Sequence, residues 1–225
     1  MTVSEILKKL KALGDKKNIT GMARFGIKGK KMLGVSMPKL RAFAKQIGKN
    51  HELALELWQS GFHEAKILAS LVAEVEKTTP ALMDKWIKDF DSWDVCDQTC
   101  MNLFSKTSVA YKKALVWSQR GREFEKRAGF ALMACLGWYD KTASDKKLAQ
   151  FFPAIKRAAA DDRIYVRKAV NWALRQIGKR NKNLNKQAIG AAEKIKKIDS
   201  RSARWIAVDA LRELQSEAVK KRICG

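Results

Sequence analysis

Ala173-Leu174-Arg175-Gln176-Ile177 recurs 37 residues later as Ala210-Leu211-Arg212-Glu213-Leu214, and Arg127-Ala128 and Lys168-Ala169 occupy matching places 41 residues apart. Self-similarity at a period near 40 constrains the fold more than any single motif. A unit of that length holds two helices, cannot bury its apolar face alone, and must stack on its neighbours.

The punctuation of the chain agrees. Thr2-Val3-Ser4-Glu5 is a capping-box pattern leading into Ile6, Leu7, Leu10 and Leu13, stopped by Gly14. Of three prolines, Pro38 and Pro80 sit where helices begin, over 39–47 and 81–90, with Thr79 as cap for the second. Further helices are expected over 50–60, 62–77, 108–119, 123–138, 163–177, 184–198 and 202–214. One more carries Asp97, capped by Ser92 or Asp94. Pro153 either opens a helix near Phe151 or kinks one. No strand-like alternation occurs. The expected fold is all-α: a single domain over 1–225, built as a HEAT- or armadillo-like helical-repeat solenoid. If the basic second helices line its inner face, the concave surface is electropositive.

Charge narrows the partners. The chain carries 46 Lys+Arg against 23 Asp+Glu, a net charge of +23. Residues 1–50 hold 13 basic and 2 acidic side chains, residues 51–110 hold 5 and 10, and residues 111–225 hold 28 and 11. Two basic blocks flanking an acidic one suit a polyanion, so double-stranded DNA is the expected partner, bound with strong salt dependence. Lys126, Arg127, Arg167, Lys168, Arg175 and Arg204 are the candidate DNA-binding cations. The loop over 26–35, rich in Gly and Lys, is expected to be mobile and suited to phosphates, although it carries no nucleotide-binding spacing.

Several classes are disfavoured. No apolar run approaches the ~18 residues that span a bilayer, and the first residues lack signal-peptide order, so a cytoplasmic protein with no membrane partner is expected, associated with the nucleoid when bound to DNA. Cys96, Cys100, Cys135 and Cys224 read as reduced, mostly buried thiols, and neither they nor His51 and His63 have a metal-ligand spacing. No metal or cofactor is expected, and a monomer is.

Within the acidic block, Asp91-Ser92-Trp93-Asp94-Val95-Cys96-Asp97-Gln98 places Trp93 and Asp97 four residues apart, on one face of a helix. An aromatic plane beside a carboxylate suits a flat cation. The same spacing also suits an ordinary core tryptophan and a solvated or capping acid.

That segment, with Leu33-Gly34-Val35-Ser36-Met37-Pro38-Lys39-Leu40-Arg41, Lys126-Arg127-Ala128-Gly129-Phe130 and Asn171-Trp172-Ala173-Leu174-Arg175, resembles the bacterial DNA alkylation repair proteins of the AlkD type. The resemblance runs in order over nearly the whole chain. It implies a HEAT-like-repeat DNA glycosylase that removes purines alkylated at N3 or N7. It also implies catalytic roles for Trp93, Asp97 and Trp172, and a backbone contact for Arg127, or for Lys126 after a one-residue shift. A cationic base leaves without protonation, and Asp97 would stabilise the oxocarbenium ion left behind. The family is described as acting on a stacked lesion. Nothing in the sequence marks a base-sized pocket, and no His, Tyr or second carboxylate is expected near Trp93 and Asp97. Two other readings remain: a non-catalytic solenoid binding duplex or branched DNA, and a protein-binding scaffold, which the charge fits poorly.

Overall fold

A computed structural model describes residues 1–224, the side chain of Cys224 excepted, and contains no strand among them. The chain divides into two compact helical units, Met1–Thr107 and a second beginning at Ser108.

The first unit holds α1 (Val3–Ala12), α2 (Lys16–Arg24), α3 (Met37–Ile47), α4 (His51–Gln59), α5 (His63–Val72), α6 (Pro80–Trp86) and α7 (Trp93–Asn102). Its helix starts follow the side-chain chemistry. Thr2 and Glu5 close the capping box of α1, Asn50 caps α4, and Thr79 caps α6 by accepting from the Leu82 amide. Gly48, at φ 75°, ends α3. Three expectations shift. Of the helix expected over 81–90, α6 ends at Trp86 and Ile87–Asp89 tighten into a 3-10 turn. Helix α5 stops at Val72, five residues short of the expected end, because Ala73 turns to extended backbone. Helix α2 falls in a stretch where no helix was expected; Asp15 caps it, none of its residues is buried, and Gly21 inside it weakens the local helical signal.

Helices α3, α4 and α7 pack on α5. Nine of the ten residues of α5 are buried, including the polar His63, Glu64, Lys66 and Ser70. Trp58 and Trp86 stack at 4.0 Å, with Phe90 and Phe104 tilted against them. The Trp58 indole N–H reaches the Asp89 carboxylate at 2.9 Å, which satisfies the one polar atom of that ring.

The second unit holds α8 (Ala110–Trp117), α9 (Glu123–Tyr139), α10 (Asp145–Ala149), α11 (Phe152–Ala158), α12 (Ile164–Gly178), α13 (Lys182–Lys196), α14 (Arg201–Leu214) and α15 (Glu217–Cys224). Pro153 lies in the first turn of α11, so it opens a helix and kinks none. Helix α9 is buried on nearly all sides, against α8 and α12, and α12 packs in turn on α14. The repeated pentapeptides occupy equivalent core positions: Ala173, Leu174 and Ile177 on α12, Ala210, Leu211 and Leu214 on α14. Cys96, Cys100 and Cys135 are buried. The expectation for Cys224 lies outside the described side chains.

Candidate functional site

Trp93 begins α7 and Asp97 follows one turn on. The Trp93 Nε1–H donates to the Phe25 carbonyl at 3.0 Å, which fixes the indole against the segment after α2. Asp97 is 9 % exposed. Beneath the indole lies a cavity of about 500 Å³, lined by Met22, Phe25, Ile27, Val35, Met37 and Ile67 and bounded by the polar groups of Lys17, Asn18, His63, Glu64, Asp94 and Gln98. It is mostly apolar with a few converging polar groups, the usual character of a small-ligand site. The sequence marked no such pocket. It is assembled from α2, the loop after it, α5 and α7, and no local pattern reports that meeting.

The expectation that no histidine or second carboxylate stands beside Trp93 and Asp97 is also corrected. His63 Nε2 and Asp94 Oδ2 are 2.7 Å apart, and the His63 side chain is fully buried. Burial works against the charged imidazole, but the hydrogen bond and charge of Asp94, with Glu64 and Asp91, outweigh it and raise the His63 pKa above 6.5. Asp94 resists burial in the same way: the hydrogen bond and charge of His63, with the Ser92 hydroxyl, hold its carboxyl below the ordinary 3.8. Both directions describe an imidazolium–carboxylate pair, so the charge of Asp94 is engaged within the protein.

The loop over 26–35 is held, contrary to its expected mobility. The buried Glu64 carboxylate accepts from the amides of Leu33 at 2.9 Å and Gly34 at 2.6 Å, and the Lys31 ammonium donates to the Ser60 carbonyl. Those two amides therefore serve Glu64 and are not presented to a phosphate. Lys28 and Lys30 remain exposed. The pairs that build this region share a spacing: Leu33 with Glu64, Trp58 with Asp89 and His63 with Asp94 are each 31 residues apart. That interval is the one signal by which sequence reading could have found them.

In the second unit the candidate cations differ in how they are engaged. Arg127 is 5 % exposed, and its Nη1 donates to the Tyr165 carbonyl at 2.6 Å. Lys126 pairs with Asp161 at 2.8 Å, and Asp161 is also gripped by Arg163 at 2.6 Å. Burial opposes the Asp161 charge, but these two cations lower its pKa to about 2. Arg175 is engaged by Glu213 and stands 3.7 Å from Asp209, while Arg167 lies 4.8 Å over the Trp205 ring. Lys168 and Arg204 point outward, Arg204 with a loose 3.7 Å contact to Asp199. Trp172 is half-buried on α12, next to the buried Asn171, whose amide donates to Asp209.

An all-helical repeat protein with an aromatic–carboxylate helix start and a cationic second unit is what fold and site define. The chain belongs to the DNA alkylation repair enzyme family, whose model matches residues 6–214. Among solved structures it is similar to a member of a new family of proteins related to the HEAT-like repeat DNA glycosylases with affinity for branched DNA structures. The identity is 21 % and the TM-score 0.82, over 99 % of this chain and 96 % of that one. The fold is therefore HEAT-like. No curated protein matches the sequence significantly. No helix among the described residues is long and apolar enough to cross a membrane, and no described cluster of three His, Cys, Asp or Glu could hold a metal ion.

Proposed function

We propose that this protein binds duplex DNA and excises purines carrying a positive charge from N3 or N7 alkylation. The observation that carries the reading is the start of α7, where a fixed indole and a carboxylate stand one turn apart in a chain of this family. An alkylated purine is already a cation and leaves as a neutral base when its glycosidic bond breaks. Positive charge then passes to the sugar, where the Asp97 carboxylate stabilises it and orients the water that attacks C1′. The face of Trp93 supports the same charge through its quadrupole. Asp94, already paired with His63, positions the helix start and does not act on substrate.

One alternative is favoured by a specific observation. Asp97 is nearly buried, which suits a relative that binds duplex or branched DNA without cutting. Release of 7-methylguanine from alkylated DNA separates the two. The glycosylase reading expects release by the wild type, and loss of about 10²-fold or more in Asp97→Asn with DNA binding retained. Normal excision by that variant would remove Asp97 from the chemistry. No release by the wild type would leave the binding protein.

A further inference from the structure

At the far end of α9, roughly 18 Å along the helix from Lys126, a second polar cavity of about 280 Å³ opens between three helices. Trp138 and Lys141 border it from the end of α9, Gln176, Lys179 and Arg180 from the end of α12, and Arg222 from α15. Trp138 is 41 % exposed and two cations approach its ring, Lys141 Nζ 5.3 Å and Arg222 Cζ 4.9 Å from the centroid.

The charge balance of this cavity is unusual. Lys179 is neutralised by Glu213, but among the described residues no carboxylate pairs with Lys141, Arg180 or Arg222. Burial and the charges of Arg180 and Arg222 hold the Lys141 ammonium below the ordinary lysine range, and no acid offsets them. The C-terminal end of a helix favours a nearby cation, but that effect does not account for three converging on one cavity. Gln176 also borders the cavity; its buried Oε1, an acceptor without a partner, offers nothing to an anion, so the attraction rests on the cations alone. Like charges gathered this closely repel one another, and an anion seated between them relieves that repulsion while gaining charge-assisted hydrogen bonds.

We infer that the cavity bounded by Trp138, Lys141, Arg180 and Arg222 is a phosphate-binding site. The phosphate belongs to a nucleic-acid strand or to a small free phosphate. The strand source rests on the DNA binding proposed above.

The test has two arms, both using the whole chain at matched ionic strength. In the first, the melting temperature is followed as pyrophosphate replaces chloride. Wild type should melt higher, a Lys141→Gln/Arg222→Gln variant should not respond, and Arg157→Gln, an exposed charge removed elsewhere in the unit, should respond like wild type. Without pyrophosphate the double variant should melt no lower than wild type, because it relieves repulsion. In the second arm, duplex DNA affinity is measured against salt. A roughly tenfold loss in the double variant, with a salt slope shallower by about two contacts, assigns the phosphate to a strand. Unchanged DNA affinity with a variant-sensitive pyrophosphate effect assigns it to a free phosphate. No variant-dependent response in either arm overturns the site. If wild type binds no DNA at any salt, the DNA reading fails, and the pyrophosphate arm still decides the cavity.

Discussion

At the scale of single residues, the most consequential group is one that sequence reading set aside. His63 looked isolated, yet it is buried against Asp94 at 2.7 Å beneath Trp93. Its pKa is raised, so the stability it contributes is complete below 6.5 and is lost as pH rises through the folded-state value. Asp94 is lowered, so its share is present above 3.8 and is lost only in stronger acid. The pair therefore stabilises the first unit across the mildly acidic range. Thermal melts should show a decline on the alkaline side of His63 titration that Asp94→Asn abolishes; a pH-melting profile identical in wild type and variant would count against the ion pair. Arg127 teaches the converse lesson. The resemblance assigns it to the DNA backbone, but its guanidinium is turned inward onto the Tyr165 carbonyl. Arg127→Ala should lower stability by about 1–3 kcal/mol through that lost charge-assisted bond, measurable by urea denaturation before any effect on DNA is interpreted.

At the scale of elements, the Arg-Ala-Gly-Phe segment is explained by packing. Ala128 and Phe130 are fully buried, and a Cβ on Gly129 would stand 2.4 Å from the Ser118 amide nitrogen and 2.9 Å from the Ala114 carbonyl. Glycine is required there because α8 and α9 approach backbone to backbone. Gly129→Ala should therefore destabilise the second unit by about 1–3 kcal/mol, the usual range for overpacking, and a variant that melts with wild type would refute the close approach. The same unit is tied by Asp161, held near a pKa of 2 by Lys126 and Arg163. Its depressed pKa means that this contribution is full above about 3.8 and lost as pH falls toward 2. Lys126→Met should make acid unfolding begin at higher pH, which a circular-dichroism acid titration would register.

At the scale of the whole molecule, a net charge of +23 predicts DNA affinity that falls steeply with salt, but the charges do not contribute equally. Lys126, Arg127 and Arg175 are committed to acceptors inside the second unit, and Arg167 to an aromatic ring. Lys168 and Arg204 are exposed. Lys168→Ala and Arg204→Ala should each weaken binding on every duplex alike and flatten the salt slope by roughly one contact. A slope equal to wild type in both would move the interface elsewhere.

The features legible in the sequence are ones set by near neighbours. Capping by Thr2 and Thr79, the stop at Gly14 and the helix spacing of Trp93 with Asp97 depend on residues within a turn or two, so local patterns report them, and the repeat shared by α12 and α14 shows on direct comparison of the two stretches. The charge imbalance is likewise a property of composition. The tertiary structure alone decided which polar groups meet across helices: Glu64 with the Leu33 and Gly34 amides, His63 with Asp94, Arg127 with the Tyr165 carbonyl. It also decided that a cavity opens under Trp93 and that three cations converge beside Trp138. The physical reason is that a side chain's partner 31 or 38 residues away is chosen by how one helix pair seats on the next. That seating is the sum of many apolar contacts, and no single stretch of sequence contains it.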